Sequence, residues 1–212
     1  MKANYYGLVR ELDVWVGRLL DKLKELRLEK NTLVIFTSDH GDMLGDHGMA
    51  GKSVLYEGAV HVPLLIRLPG RIPANTVVET PVSTIDLFAT ILDYTGQAGH
   101  SSEGRSLRPL MEGTETEGTD YCVSEWGGDN LNFMVRTKRW KLLYPSRLSS
   151  GARPALYDLE NDPHELTNLL GYHPDREQHR TVAEKMKGRL VGWLKKVKSP
   201  YLEQVQQRPV FR

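Results

Sequence analysis

Apolar residues recur at intervals of three and four near both ends of the chain. The N-terminal series, with charged residues between its members, comprises Leu8, Leu12, Trp15, Val16, Leu19, Leu23 and Leu26. The C-terminal series comprises Val182, Met186, Leu190, Trp193 and Val197. This spacing places apolar side chains on one face of a helix. The pattern therefore predicts an amphipathic helix near each end of the chain.

Two short stretches are apolar at almost every position instead. They are TLVIF at residues 32–36 and VPLLIRL at residues 62–68. Consecutive apolar positions over such a length are typical of strands that are buried on both faces of a parallel or mixed sheet. We therefore expect both stretches to be buried strands.

A further helix is predicted over residues 83–96. Ser83 is followed three residues later by Asp86, a capping-box signature, and Gly96 is placed to end the helix. The apolar face of this helix would consist of Leu87, Phe88, Ile91 and Leu92.

The pattern changes after residues 97–120, which are rich in Gly, Ser, Thr and Glu. Beyond them, YCVSEW, NFMVRT, KRWKLLYP and PALYDL alternate with turn residues at the spacing of hairpins. The predicted fold class is α/β: part of a mixed, largely parallel sheet with flanking helices, followed by a small antiparallel sheet packed with a C-terminal helix. The predicted domains are residues 1–110 and residues 111–212.

Charge and composition narrow the class of partner. The 28 basic residues almost balance the 27 acidic ones, and they form no basic stripe, so no nucleic acid or anionic membrane is expected. No apolar stretch has membrane-spanning length, and the N-terminus lacks the apolar core and cleavage site of a signal peptide. A small molecule is the expected partner, and the localisation stays open. The single cysteine, Cys122, excludes an internal disulfide and is expected to be a buried strand residue.

The loop TSDHGDMLGDHGMAGK, residues 37–52, carries the candidate chemistry. In open α/β sheets, ligands bind beyond the carboxyl ends of the strands, and Asp39 and His40 follow the first predicted strand. A carboxylate and an imidazole suit a divalent ion, provided that the backbone bends, which Gly41 would permit. The same residue types are also common in ordinary turns, which is the alternative interpretation.

Lys52 differs from the other candidates because its ammonium is a compact cation on a long, flexible stem. Such a group can reach an anionic ester oxygen and neutralise charge on a leaving group, although Lys52 considered alone is better interpreted as a solvated surface lysine. The remaining polar residues of the loop, Asp42, Asp46 and His47, could be ligands or could shape the loop.

Residues 32–70 resemble the second signature region of the sulfatase family, within the alkaline-phosphatase-like superfamily. Other stretches resemble the same family in the same order, namely YYGLVRELDVWVGRLLDKLKE, VSTIDLFATILDYTG, GRSLRPLMEG, MVRTKRWKLLY and LYDLENDPHELTNL. The resemblance implies that Asp39 and His40 are metal ligands and that Lys52 contacts a sulfate ester as a catalytic and substrate-binding residue. The implied ion is calcium, with manganese, magnesium and zinc as alternatives.

The chain also departs from the family. It lacks the Cys/Ser-x-Pro-x-Arg motif that supplies the formylglycine nucleophile, and Cys122 stands in CVSEW instead. The resemblance is thus to the C-terminal portion of a sulfatase, so residues 1–110 would be the C-terminal part of a catalytic domain. With two of the usual ligands, the site is expected to bind its ion weakly. We expect no measurable activity from the chain alone.

Three functions stay open from the sequence. The leading one is a sulfuric ester hydrolase acting on a small-molecule or sugar sulfate, with formylglycine supplied by an N-terminal part. The second is a phosphonate monoester or phosphodiester hydrolase of the same superfamily, and the third is a non-catalytic sulfatase-like domain. The predicted strands are apolar on both faces, and the N-terminal elements that would cover them are not in this sequence. We therefore expect an exposed hydrophobic surface. Such a surface predicts a homo-oligomer, docking of the N-terminal part, or poor solubility.

Overall fold

Residues 2–97, 101–115, 118–127, 131–147 and 153–210 are described by a computed structural model of the chain. Their contacts divide the chain into two compact units. The first unit consists of Met1–Lys52 with Gly58–Val77, and the second consists of Ser53–Glu57 with Val78–Arg212. No helix among the described residues is long and apolar enough to cross a membrane.

The first unit begins with the predicted amphipathic helix. Helix α1 spans Lys2–Glu25 and is continuous over 24 residues, which confirms the periodicity argument. None of its described residues is buried: Leu8 is 66% exposed and Trp15 is 58% exposed. Sequence spacing placed these side chains on one face, and the described residues leave most of that face exposed, with only Val16 and Leu23 half-buried.

Two short strands form the sheet of the first unit. Strand β1 spans Val34–Thr37 and strand β2 spans Leu64–Arg67. They pair antiparallel, with Val34 opposite Arg67 and Thr37 opposite Leu64. The prediction of a mixed, largely parallel sheet is therefore not confirmed by the described strands.

Burial of these strands also differs from the prediction. All four residues of β1 are half-buried, while β2 alternates between half-buried and exposed positions, with Leu65 61% exposed. In the described part of the chain, β1 and β2 hydrogen-bond only to each other. Their apolar runs are thus incompletely covered, and the expectation of burial on both faces is wrong for this structure.

The second unit contains a four-stranded antiparallel sheet in the order β3-β4-β5-β6. The strands are β3 (Tyr121–Trp126), β4 (Asn132–Thr137), β5 (Trp140–Pro145) and β6 (Ala155–Asp158). Each strand pairs with the one that precedes it in the chain, as consecutive strands commonly do. The predicted small antiparallel sheet is confirmed.

A C-terminal helix packs on this sheet, as predicted. Helix α5 spans Arg180–Lys196, and helix α6 spans Leu202–Gln207. The shared core is made by the helices, the sheet and residues near the C-terminus, and comprises Phe133, Val135, Leu142, Tyr144, Leu156, Leu170, Ala183, Met186, Leu190, Leu194, Val205 and Val210. Every one of these side chains is at most 1% exposed, so this core is the main source of hydrophobic stabilisation in the unit.

Helix α3, Asp86–Thr95, also belongs to the second unit, and the short helix α4 (Arg108–Met111) follows it. The short helix α2 spans Glu57–Val60, of which residues 58–60 belong to the first unit. The predicted C-terminal end of α3 is confirmed, since Gly96 is left-handed with φ 70°. The backbone N–H of Ser83 donates to Asp86 Oδ2 at 2.9 Å, but the helix begins at Asp86 and not at the predicted residue 83. The predicted apolar face is partly exposed, with Phe88 at 52% and Ile91 at 45%.

The buried face of α3 is polar instead. The backbone N–H of Arg105 donates to Asp86 Oδ1 at 3.0 Å, and that of Leu107 donates to Thr90 Oγ1 at 2.9 Å. Asp93 accepts bonds from the same segment. These bonds satisfy backbone donors that a purely apolar face would leave unpaired.

The contacts therefore group α3 and α4 with the antiparallel sheet. Lys196 at the end of α5 donates to the backbone oxygen of Glu103 at 2.8 Å, which ties the segment between α3 and α4 to the C-terminal helix. The predicted domains, residues 1–110 and residues 111–212, describe how a complete family member would be divided. That division stays a prediction.

Candidate active-site loop

The loop that follows β1 is held by backbone hydrogen bonds within the first unit. The N–H of Gly41 donates to the oxygen of Ala59 at 2.8 Å, and the N–H of Met43 donates to the oxygen of Gly51 at 2.8 Å. The Met43 side chain is only 1% exposed. These contacts fix both ends of the loop that carries the candidate residues.

Gly41 has a different role from the one expected. Its φ is not in the left-handed region, so the bend alone does not require glycine. A Cβ at this position would instead lie far inside the contact distance of the Gly58 backbone oxygen, next to the bond to Ala59. Glycine is needed here because the backbone of α2 approaches so closely.

Asp39 lies at the exposed edge of the loop, with 83% of its side chain accessible. Its Oδ1 accepts the backbone N–H of His40 at 2.9 Å. This bond is the main reason that the pKa of Asp39 lies below its ordinary value, and the neighbouring imidazole adds to the effect. The carboxylate is therefore ionised and available near neutral pH.

The ring of His40 is oriented by a second backbone bond. Its Nδ1 lies 2.8 Å from the oxygen of Gly41, and since a carbonyl oxygen can only accept, we assign the hydrogen to Nδ1. The neutral ring then has its lone pair on Nε2, which lies 3.4 Å from Asp39 Oδ2. A histidine held in this way by a backbone carbonyl presents a nitrogen suited to binding a metal ion.

Lys52 completes the group. Its Nζ contacts His40 Nε2, so the loop brings together the three residues that the sequence singled out. A carboxylate and an ammonium that each contact the same imidazole nitrogen can bind a cation on one side and an anion on the other.

The other polar residues of the loop contribute to its shape. Asp42 Oδ1 accepts the backbone N–H of Leu44 at 2.8 Å and that of Gly51 at 3.4 Å, which bridges the two ends of the loop. Asp46 is exposed and lies 3.4 Å from Lys2, and His47 has φ 53° in a turn over residues 46–48. Among the described residues, no group of three or more His, Cys, Asp or Glu side chains is arranged to hold a metal ion.

A second charged group, in the second unit, was not anticipated. Lys141 is 0% exposed on β5 and lies 2.8 Å from Glu165 and 3.0 Å from Glu57. A lysine inside the apolar run WKLLYP was the one available signal, because a buried lysine needs anionic partners. Its partners could not be identified from the sequence.

Comparison with known proteins identifies the class. The family model for sulfatases matches residues 1–97. Arylsulfatase K of Canis lupus familiaris is 36% identical over 186 residues, which is 82% of this chain and 34% of the relative. An arylsulfatase of Clostridium perfringens is 34% identical over 201 residues, which is 91% of this chain and 41% of the relative.

Solved structures agree with these sequence matches. The phosphonate monoester hydrolase of Agrobacterium radiobacter superposes with a TM-score of 0.77 at 34% identity, over 90% of this chain and 41% of that one. A protein solved with its substrate D-glucosamine-2-N,6-O-disulfate superposes with a TM-score of 0.77 at 26% identity, over 94% of this chain and 41% of that one.

The fold is therefore part of the alkaline-phosphatase-like fold that these structures share. The chain belongs to the sulfatase family, which confirms the resemblance seen in its motifs. The chain spans only part of the length of the curated relatives that it matches: 34% of the arylsulfatase K and 41% of the Clostridium perfringens arylsulfatase.

Proposed function

We propose that residues 37–52 form one side of the active site of a sulfuric ester hydrolase. The observation that carries this proposal is the convergence of Asp39, His40 Nε2 and Lys52 Nζ beyond the end of β1. These are the residue types that bind a divalent ion and an anionic ester. The sulfatase family membership and the arylsulfatase relatives support the reaction class.

Asp39 and His40 are the proposed ligands of a divalent ion, with calcium as the proposed identity. Their chemistry fits that role, since Asp39 offers an ionised carboxylate and His40 offers an oriented nitrogen lone pair. Two donors alone give a weak site, because hard ions need several oxygen ligands. When bound, the ion would supply positive charge that stabilises charge developing on the transferred group.

Lys52 is the proposed contact to the sulfate ester. Its ammonium contacts His40 Nε2, the nitrogen proposed to bind the ion, and its long, flexible stem would let it reach an oxygen of an ester bound there. There it would neutralise negative charge on the sulfate or on the leaving oxygen. The proposed nucleophile is a formylglycine, as in the family, supplied from outside residues 1–212.

The proposed substrate is a sulfate ester of an aryl alcohol or a sugar. The curated relatives are arylsulfatases, and one structural relative was solved with a sulfated glucosamine as its substrate.

A phosphonate monoester is the second candidate substrate. One observation favours it: the phosphonate monoester hydrolase of Agrobacterium radiobacter has 34% identity to this chain, compared with 26% for the glucosamine disulfate-binding protein. Sulfate and phosphonate monoesters both present anionic oxygens to a metal and a lysine, so the loop itself fits both.

The test compares aryl sulfate and aryl phosphonate esters as substrates of the full-length protein that contains residues 1–212. We expect faster hydrolysis of the sulfate, and a fall of about a hundredfold or more in kcat/KM for Lys52→Ala, by analogy with the removal of one preorganised charge-stabilising donor. Faster phosphonate hydrolysis would favour the second candidate. Full activity of Lys52→Ala and Asp39→Asn on both esters would contradict the proposed site.

A further inference from the structure

The side chain of Asp42 accepts two backbone hydrogen bonds within the loop that carries the candidate site. Its Oδ1 accepts the N–H of Leu44 at 2.8 Å and the N–H of Gly51 at 3.4 Å. The first bond is local, since an aspartate commonly bonds to the backbone two residues further on. The second bond spans nine positions, and it joins the segment after His40 to the residue before Lys52.

The carbonyl group of Gly51 is held as well. Its oxygen accepts the N–H of Met43 at 2.8 Å, and Met43 is itself buried, at 1% exposed. A peptide group is planar, so the atoms from the Cα of Gly51 to the Cα of Lys52 move together. The bond to Met43 therefore holds the peptide plane that ends at the Cα of Lys52, and the bond to Asp42 holds the peptide group before it.

These contacts connect the backbone of Lys52 to the backbone that follows His40. Asp42 and Met43 come two and three positions after His40, Gly51 comes directly before Lys52, and all five residues belong to the first unit. The Lys52 Nζ also contacts His40 Nε2. A catalytic group that is displaced by about 1 Å can lose about a hundredfold in rate, so the closure of this loop bears directly on the proposed chemistry.

We propose that Asp42 is a positioning residue for Lys52: by holding the N–H of Gly51, its carboxylate keeps the Lys52 backbone in place relative to His40. This inference deepens the proposed function of Lys52 and rests on it. It assigns a role to a residue for which the sequence left both a metal ligand and a loop-shaping residue open.

The contacts of Asp42 distinguish these two roles by chemistry. Its Oδ1 serves as an acceptor for two backbone N–H groups, and the uncharged amide oxygen of an asparagine can accept the same bonds. A ligand of a hard divalent ion depends on its negative charge instead. Replacement of Asp42 by asparagine therefore preserves a positioning role and impairs a ligand role.

The test is a double-mutant cycle in the full-length protein that contains residues 1–212, with kcat/KM for an aryl sulfate as the measurement. We expect Asp42→Ala to lower kcat/KM by about ten- to a hundredfold in the presence of Lys52. In a Lys52→Ala background the same change is expected to have little further effect, because there is no ammonium left to misplace. Asp42→Asn is expected to retain most of the activity, because it keeps the acceptor oxygen.

Asp46→Ala is the matched control. Asp46 is an aspartate of the same loop, and its exposed carboxylate lies 3.4 Å from Lys2 Nζ. The control is expected to leave kcat/KM unchanged in both backgrounds. An equal loss from Asp42→Ala in both backgrounds would show that Asp42 does not act through Lys52, and would overturn the inference. A loss from Asp42→Asn as large as that from Asp42→Ala would show that the charge is required, and would overturn it too.

Hydrogen exchange separates this inference from the proposed function. Deuterium uptake of a peptide covering residues 49–53 reports the bond of the Gly51 N–H without any substrate. We expect Asp42→Ala to accelerate this exchange by about two- to tenfold, as for the loss of one hydrogen bond, and Asp42→Asn and Asp46→Ala to leave it unchanged. An unchanged rate in a folded Asp42→Ala protein would overturn the inference at any level of activity. The expected exchange rates together with full activity of Lys52→Ala would support the hold on the Lys52 backbone and contradict the proposed function of Lys52.

Discussion

A side chain at position 41 would collide with the backbone oxygen of Gly58. The same close approach allows the bond from the N–H of Gly41 to the oxygen of Ala59. Neither partner can move without breaking the start of the loop that carries Asp39 and His40. At the scale of single residues, the candidate site thus depends on a contact between two backbones.

We therefore expect Gly41→Ala to destabilise the first unit and to displace Asp39 and His40. The cost should be about 1–3 kcal/mol, as for other over-packed positions, measured by urea denaturation. Gly17→Ala in α1 is the matched control, because a Cβ there meets nothing within 4 Å. That control should gain up to about 1 kcal/mol in helix propensity. Equal stability of the two variants would contradict the close contact.

Cys122 provides a second prediction for a single residue. Burial raises the pKa of this thiol to about 11, with smaller effects from the charges of Arg136 and Glu57. Because the thiolate is the reactive form, the folded protein should react slowly with iodoacetamide at pH 8, and the protein in denaturant should react quickly. Equal rates in the two states would show that the strand is not closed around the thiol.

Two amphipathic helices in the same chain differ in burial. Leu190 of α5 is 0% exposed in the core of the antiparallel sheet, while Leu19 of α1 is 56% exposed. Their sequence patterns are alike, so the difference comes from what lies opposite each helix. At the scale of elements, periodicity defines a face but does not determine whether it is covered.

This contrast predicts unequal costs for the same substitution. Leu190→Ala should reduce the free energy of unfolding by about 2–5 kcal/mol, because it removes apolar contacts and leaves a cavity. Leu19→Ala should change it by no more than about 0.5 kcal/mol. Urea denaturation of both variants provides the comparison, and a large loss from Leu19→Ala would mean that α1 is packed against a partner in solution.

The ion pairs of Glu57 with Lys141 and Arg136 predict that the free energy of unfolding depends on pH. The pKa of Glu57 is lowered in the folded protein from an ordinary value of 4.5, so the folded state favours the ionised form. The corresponding stability is present above pH 4.5 and is lost as the pH falls through the lower folded value. Denaturation between pH 7 and pH 3 should show this decline, and Glu57→Gln should show a smaller one. An identical pH profile for the variant would exclude the carboxylate as its source.

At the scale of the whole molecule, exposed apolar side chains of the described residues are most numerous on α1, and Leu65 of β2 is also exposed. They include Tyr6, Leu8, Leu12, Trp15, Leu19 and Leu65, each more than half exposed. The net charge of +1 offers little repulsion between copies. Exposed apolar surface of this kind favours association.

The chain of 212 residues is therefore expected to dimerise or to be poorly soluble. Light scattering over a range of concentrations tests this, with Leu12→Lys and Leu19→Lys as variants that should reduce association. A stable monomer at high concentration would contradict the expectation.

The sequence by itself determined the elements and the candidate loop. The helices α1, α3 and α5 follow from apolar spacing and capping residues, and the hairpins follow from short polar turns between strand-like runs. Asp39, His40 and Lys52 lie within 14 positions of one another, so their proximity needed only a loop. These features depend on interactions between residues that are close in sequence, and local patterns carry that information.

Tertiary structure alone decided the rest. Lys141 bonds to Glu57 across 84 positions, and Glu165 bonds to the Glu57 backbone across 108. The antiparallel pairing of β1 with β2, the exposure of α1 and the polar buried face of α3 likewise depend on what lies opposite each element. Periodicity reports the direction in which a side chain points, whereas burial and charge pairing depend on the neighbour that the fold brings to it.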